Sequence, residues 1–420
     1  MGESETTIEL SRVLSRRLFI CVATGFASGL PLYILIQLIP AWLRSSDVSL
    51  VEIGLFSLVG LPYAWKFVWA PLLDRWVFPL GLRRGWMLLT QILLIGSIGA
   101  LGYVDPALNL SWVVSLSVAI ALFSATQDIA IDAYRRELLP DEELGLGNSV
   151  HVQAYRIAGL VPGSLSLILA DQLPWLWVFW ITASFMLVGV LLSLFISEPY
   201  RAPPANTGFR ATVLEPFQEY VARRGWRDLA LILFFMVAFK LGDNMATALA
   251  MPFYLDIGFS MTEIGWVAKH AALWPSIIGG LLGGFWMLKL GINRSLWIFG
   301  VIQMISIPGF AVLAAVGPEL WLLAVVIAFE YLGVGLGTAA LTAFIAWESS
   351  KTFAATQFAL FTALTALPRS LANASTGWLV EELGWVMFFL FCTALALPGL
   401  ALLHWIAPWK VSATREAEGG

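Results

Sequence analysis

Stretches of about 20 residues with almost no charge recur along the whole 420-residue chain, and that recurrence constrains the fold more than any other feature. At 1.5 Å per residue, each stretch is long enough to cross a hydrocarbon core of about 30 Å. Lipid offers the backbone no hydrogen bonds, so a spanning segment must close its own, as a helix does. Twelve spans are expected, at 18–43, 50–70, 86–104, 111–133, 149–170, 176–196, 228–255, 262–288, 295–315, 320–347, 354–380 and 385–407. A soluble fold is excluded on composition. Of the residues 59% are hydrophobic and 12% charged, against about 25% charged in soluble domains. The expected fold class is therefore an all-α integral membrane protein with twelve transmembrane helices.

Lys and Arg in the connections orient these helices. With the N-terminus in the cytoplasm, the inner segments hold 18 of them and the outer segments hold Arg44 alone. An even number of spans then returns the C-terminus to the cytoplasm. Cys21 and Cys392 both fall within predicted helices, so no disulfide framework or metal cluster is expected. The first apolar stretch is too long for a signal h-region and shows no small-residue cleavage site, so it is expected to stay attached. The net charge of −4 averages over two sides of a membrane and says little about partners.

The chain reads as two halves. Residues 197–227, with Pro199, Pro203, Pro204 and five arginines, form the longest polar connection. The expected division is an N-terminal six-helix bundle at 1–196, a cytoplasmic linker at 197–227, a C-terminal six-helix bundle at 228–408 and a tail at 409–420. Two echoes cross the linker. SLVEIG at Ser49–Gly54 returns as SMTEIG at Ser260–Gly265, an offset of 211, and DQLPW at Asp171–Trp175 returns as EELGW at Glu381–Trp385, an offset of 210. Pseudo-symmetric halves of this kind imply transport by rocking bundles, with binding near mid-membrane. Gly25 and Gly29, the GGLLGG run at 279–284, and Gly333, Gly335 and Gly337 fit close helix approach.

Charges inside the spans locate function, because each costs roughly 2.5–3.5 kcal/mol at the centre of a membrane helix. They are Lys66, Asp128, Asp132 and Arg156 in the first half, and Lys240, Asp243, Lys269, Glu330 and Arg369 in the second. Asp128 and Asp132 share a helix face, with Gln127 beside them. Arg369 shares one with Thr365 and Asn373, and Lys240 shares one with Asp243 and Asn244. Such faces suit the donors and acceptors of a sugar or peptide, and the cations suit carboxylates. Structural roles compete with these. Asp132 near a helix end fits a gate or ion pair, Lys66 can snorkel, and Lys240 and Asp243 can neutralise each other. His151, His270 and His404 lack ligand spacing. The tryptophans are first of all interfacial anchors, with Trp65, Trp69, Trp274 and Trp347 the candidates for stacking on a sugar. No phosphate-cradling Gly-Lys-Ser/Thr loop is present, so coupling to ATP within the chain is not expected.

The turn APLLDRWVFPLGLRRGW at 70–86 resembles the motif of the major facilitator superfamily between helices 2 and 3. It offers Asp74, Arg75, Arg83 and Arg84, together with Asp132, as gating residues. The second-half equivalent, WMLKLGINR, has no acid, so any latch is asymmetric. FASGLPL at 26–32, IGLFSLVGLPYAWKFVWAPLLDR at 53–75, SATQDIAIDA at 124–133, FKLGD at 239–243 and FEYLGVGLGTAAL at 329–341 resemble the AmpG-type muropeptide permeases. Some members of that family have two further hydrophobic segments at the C-terminus, where this chain ends after the twelfth.

The resemblance implies a secondary transporter, not an enzyme, in the inner membrane. It would import anhydro-muropeptides for cell-wall recycling by proton symport, with no cofactor. The lipid bilayer and protons are its expected partners, nucleic acid is not, and a monomer is expected. Within that reading Arg156, Lys240 and Arg369 are expected to meet substrate carboxylates, with Gln127, Asn373, Lys269 and Lys66 around them. Asp128, Asp243 or Glu330 is expected to carry the proton. Relatives in the wider family make a siderophore importer or an acetyl-CoA transporter the alternative, and a membrane-embedded acyltransferase a more distant one, since no nucleophile and base pair stands out.

Overall fold

The computed structural model describes residues 2–73, 76–140, 143–198, 215–349, 357, 361 and 368–409, and all the regular structure among them is helical. Nine stretches among the described residues are helical, long and apolar enough to cross a membrane, from Arg16–Ser45 to Thr376–Ile406, and Leu50–Trp65 is a shorter apolar helix. One of the nine, Met261–Val316, is 56 residues long, or about 84 Å, more than twice the hydrocarbon thickness. Gly291 bends it, with φ 74° and ψ 165°, a conformation that favours glycine because it has no Cβ. Gly81, 210 residues earlier, opens the helix Leu82–Leu101 with φ 113°. The repeat is thus expressed in the backbone as well as in the sequence. Twelve of the 27 residues of the expected span at 354–380 lie outside the described residues. Part of the expected linker is helical, since Glu215–Ala248 runs through a bend at Gly225.

The chain divides into two compact units. The first is Met1–Val48, Val59–Pro204 and Ser260–Trp266, and the second is Ser49–Leu58, Ala205–Phe259 and Val267–Gly420. The short exchanged segments, 49–58 and 260–266, carry the SLVEIG and SMTEIG echoes. Each echo forms a capping box: Ser49 and Glu52 close one helix N-terminus, and Ser260 and Glu263 close the other. The spacing S-x-x-E dictates this, because the serine oxygen reaches the N3 amide while the glutamate returns to the N-cap amide.

Each unit packs around its own core. In the first, Ile20, Met87, Ile131, Tyr134 and Leu192 are buried together. In the second, Phe235, Phe239, Phe299, Phe344 and Leu403 are. Outward-facing residues such as Phe19, Phe195 and Leu288 are also large and apolar, as lipid contact requires. Close helix approach follows the glycines. A Cβ at Gly25 or Gly29 would run into the backbone carbonyl of His151 or Tyr155, so the helices Gly2–Tyr33 and Leu144–Ala158 meet backbone to backbone. In the second unit Gly279 and Gly335 play the same part, against the carbonyls of Leu332 and Ser276.

Candidate functional site

In the first unit the expected carboxylates stand on the helix Leu110–Leu138. Asp128 is buried and accepts a 2.5 Å hydrogen bond from Ser28 Oγ. Its neighbour Gln127 donates through Nε2 to the Ala27 carbonyl at 2.9 Å, so two consecutive side chains engage two consecutive residues of the first helix. Lys66 brings its Nζ to 4.0 Å from Asp128 and 3.7 Å from Asp132. Asp132 is half exposed and also pairs with Arg135 at 3.0 Å. Two cations thus balance two carboxylates around one buried acid. Gln127 Oε1 and Gln153 Oε1 are enclosed and have no hydrogen-bond partner among the described residues, and the enclosed Tyr63 and Ser124 hydroxyls have each other within hydrogen-bonding reach. Tyr63 lies beside both Asp128 and Ser124. Native interiors rarely leave such atoms unpaired, so this cluster offers hydrogen-bonding capacity to a guest.

The second unit holds a counterpart. Lys240 Nζ and Asp243 Oδ2 are 3.3 Å apart, one turn along the helix Glu215–Ala248. The mutual neutralisation weighed for this pair is therefore formed. Glu330 is fully buried on the helix Leu320–Glu348, within side-chain hydrogen-bonding reach of Asp243. Its Oε2 accepts from Ser306 Oγ at 2.5 Å, and Ser306 Oγ also lies 2.7 Å from the Gln303 carbonyl. Gly337 makes room: a Cβ there would meet Gln303 Oε1 and approach Lys240 Nζ. Lys269 is buried at the start of the helix Lys269–Ser306.

The other expected residues have different surroundings. Among the described residues Arg156 and Arg369 have neither an ion pair nor a hydrogen bond from their guanidinium groups, and Asn373 Oδ1 is enclosed and unpartnered. Thr365, Asp74 and Arg75 lie outside the described residues. Arg83 meets Glu137, with its Nε at 3.2 Å and Nη2 at 2.9 Å from Oε1. Arg84 donates to the Ser193 and Leu194 carbonyls, and the backbone amides of Arg83 and Arg84 donate to Glu198. Of the stacking candidates, Trp69 uses its indole N–H on Thr126, while Trp65, Trp274 and Trp347 are exposed.

Sequence reading missed Ser28, Tyr63, Gln303, Ser306, Glu137 and Glu198. For the first four the available signal was an uncharged polar residue within an apolar run, at i, i+3 spacing for Gln303 and Ser306. Such residues are too common in membrane helices to single out by themselves.

Comparisons with known proteins match this architecture. The model of the Major Facilitator Superfamily matches residues 21–241. The anhydromuropeptide permease of Escherichia coli strain K12 is 40% identical over 388 residues, covering 91% of this chain and 78% of that protein. An uncharacterized protein of Haemophilus influenzae is 49% identical over 411 residues, covering 95% and 96%. A solved bacterial homologue of the human lysosomal transporter Spinster has a TM-score of 0.72 at 15% identity, covering 96% of this chain and 98% of that one, a likeness of fold alone. This chain is a multi-pass inner-membrane transporter and belongs to the AmpG-type muropeptide permease family of the major facilitator superfamily.

Proposed function

We propose that this protein imports anhydro-muropeptides, disaccharides carrying short peptides, from periplasm to cytosol by proton symport. The observation that carries the substrate is the 40% identity with the Escherichia coli permease over 91% of this chain. What supports proton coupling is that each unit encloses a carboxyl beside a lysine: Asp128 with Lys66, and Asp243 and Glu330 with Lys240. A carboxyl that alternates between an ion-paired, ionised form and a neutral, desolvated form can carry one proton per cycle. Arg156 and Arg369, whose guanidinium groups have no described partner, bind the substrate's carboxylates. Gln127 and Asn373 bind its amides and hydroxyls. Lys66 and Lys269 add positive charge, and Arg83, Arg84 and Asp132 take part in gating. The reading carries with it twelve spans, cytoplasmic termini, alternating access by the halves 1–196 and 228–408, and a proton gradient as sole driving force without a cofactor.

The test is uptake of labelled anhydro-muropeptide into proteoliposomes under an imposed inward proton gradient. Accumulation above the external concentration, abolished by a protonophore, is the expected result. Equilibration without accumulation sinks the coupling. Uptake of a siderophore or acetyl-CoA in place of the muropeptide sinks the substrate.

A further inference from the structure

We propose that one ordered water molecule, held between Gln303 and Asp243, belongs to the proton site, with Gln303 as its positioning residue. This rests on the proton-coupled reading above. A cavity of about 10 Å³ in the second unit is lined by Asp243, Gln303, Met304, Ile307, Phe239 and Leu400, among others. That is about the space one water needs, and a water also needs two or more polar partners. They are present. Gln303 is buried with both Oε1 and Nε2 unpartnered, and Asp243 Oδ1 is enclosed and unpartnered. The rest of the lining is apolar, so a water there has those two side chains to bond.

The chemistry of an amide suits this position. When Asp243 is ionised, the water donates to Oδ1 and accepts from Gln303 Nε2. When Asp243 takes a proton, its O–H donates to the water, which donates on to Gln303 Oε1. A side chain with both a donor and an acceptor can follow the proton in either state, and an apolar side chain can follow it in neither. The proton itself comes from Glu330: its O–H bond breaks as an O–H bond to Asp243 forms, and the pair's charge is unchanged. Ser306 fits the same scheme. Its one hydroxyl proton faces two acceptors, Glu330 Oε2 and the Gln303 carbonyl. With Oε2 accepting from Ser306, the Glu330 proton sits on Oε1, the enclosed oxygen that has no other described partner, on the carboxyl within reach of Asp243. With Lys240 positive and Asp243 negative, that arrangement is also electrically neutral. Among the described residues the other titratable groups about Glu330 are Tyr254, its chain neighbour Tyr331 and Cys392, none a cation.

Two variants of the full chain in liposomes test the site. Gln303→Met removes both amide atoms at nearly constant length. Gly337→Ala places a methyl group against Gln303 Oε1 and displaces the amide. Infrared spectra in D2O, with and without ¹⁸O, report the O–D stretch of an internal water without needing any substrate. The expected result is an ¹⁸O-sensitive band in the parent protein that is lost in both variants. The ratio of proton-driven uptake to substrate exchange at equal pH is expected to fall about tenfold, as loss of one buried hydrogen-bond network implies. A band that persists in both variants overturns the proposal, as does an uptake-to-exchange ratio equal to the parent's. If the parent takes up no anhydro-muropeptide, the substrate reading fails while the infrared experiment still decides the water.

Discussion

The backbone amide of Thr262 donates a 2.7 Å hydrogen bond to Asp171 Oδ2. At the pseudo-equivalent position of the repeat, the amide of Val51 donates to Glu381 Oε1 at 3.4 Å. Both amides lie in the first turn of a capping-box helix, and both acids open the DQLPW and EELGW echoes. The two echoes in the sequence are therefore the two segments that touch. Each bond is made inside one compact unit, by a short segment exchanged from the other repeat. A carboxylate facing free helix amides is stabilising.

Asp171→Ala is expected to raise the hydrogen-exchange rate of the Thr262 amide by about tenfold, the loss expected when a helix N-terminal acceptor is removed. Glu381→Ala is expected to do less to Val51, since that bond is longer. Exchange measured by mass spectrometry checks this, and an unchanged Thr262 rate would remove the acid from its stabilising role.

Asp128 and Asp132 share Lys66 but not their surroundings. Asp128 is buried on Ser28, and Asp132 is half exposed. Asp128→Asn is expected to cut proton-driven uptake by about a hundredfold or more, the scale of losing an acid–base group. Asp132→Asn is expected to cost less than about tenfold, because exposed pairs are weak. Initial rates in vesicles under an imposed gradient separate the two. Equal effects would argue against Asp128 as the proton carrier.

Arg83 approaches Glu137 with two nitrogens, and its side chain is only 7% exposed. Lysine offers a point charge in place of that fork, so Arg83→Lys is expected to destabilise the protein. Removing the charge with Arg83→Met is expected to cost about 3 kcal/mol by leaving the part-buried Glu137 without its ion-pair partner, and adding Glu137→Gln should recover most of it. Thermal unfolding in detergent measures both. No recovery in the double variant would show that the pair is not coupled.

Gly29 stands against the Tyr155 carbonyl, whereas Gly284 faces open space. Gly29→Val is expected to destabilise by about 1–3 kcal/mol or more through overpacking at the backbone contact. Gly284→Ala should be neutral, or stabilising by about 0.5–1 kcal/mol through helix propensity. A midpoint that falls for both substitutions would contradict the packing described.

What the sequence determined by itself was whatever depends on local composition. Apolar runs of spanning length, charges too costly to leave in lipid, two S-x-x-E capping boxes and a repeat at about 210 residues are all properties of neighbouring residues, and solvent imposes their consequences wherever the chain goes. The i, i+3 spacing put Lys240 beside Asp243 in the same way. Which groups from distant segments meet was decided only by tertiary structure. Glu330 reaches Asp243, Ser28 reaches Asp128, and Arg83 finds Glu137, because particular helices pack against each other. That choice rests on glycines such as Gly29 and Gly337, whose missing side chains let backbones and amides come close. Gln303 and Ser306 carry no charge and cost little in a membrane helix, so their place in an apolar run did not single them out. Only the enclosure around Gln303, with its amide unpartnered beside a carboxylate, gives that residue its chemistry.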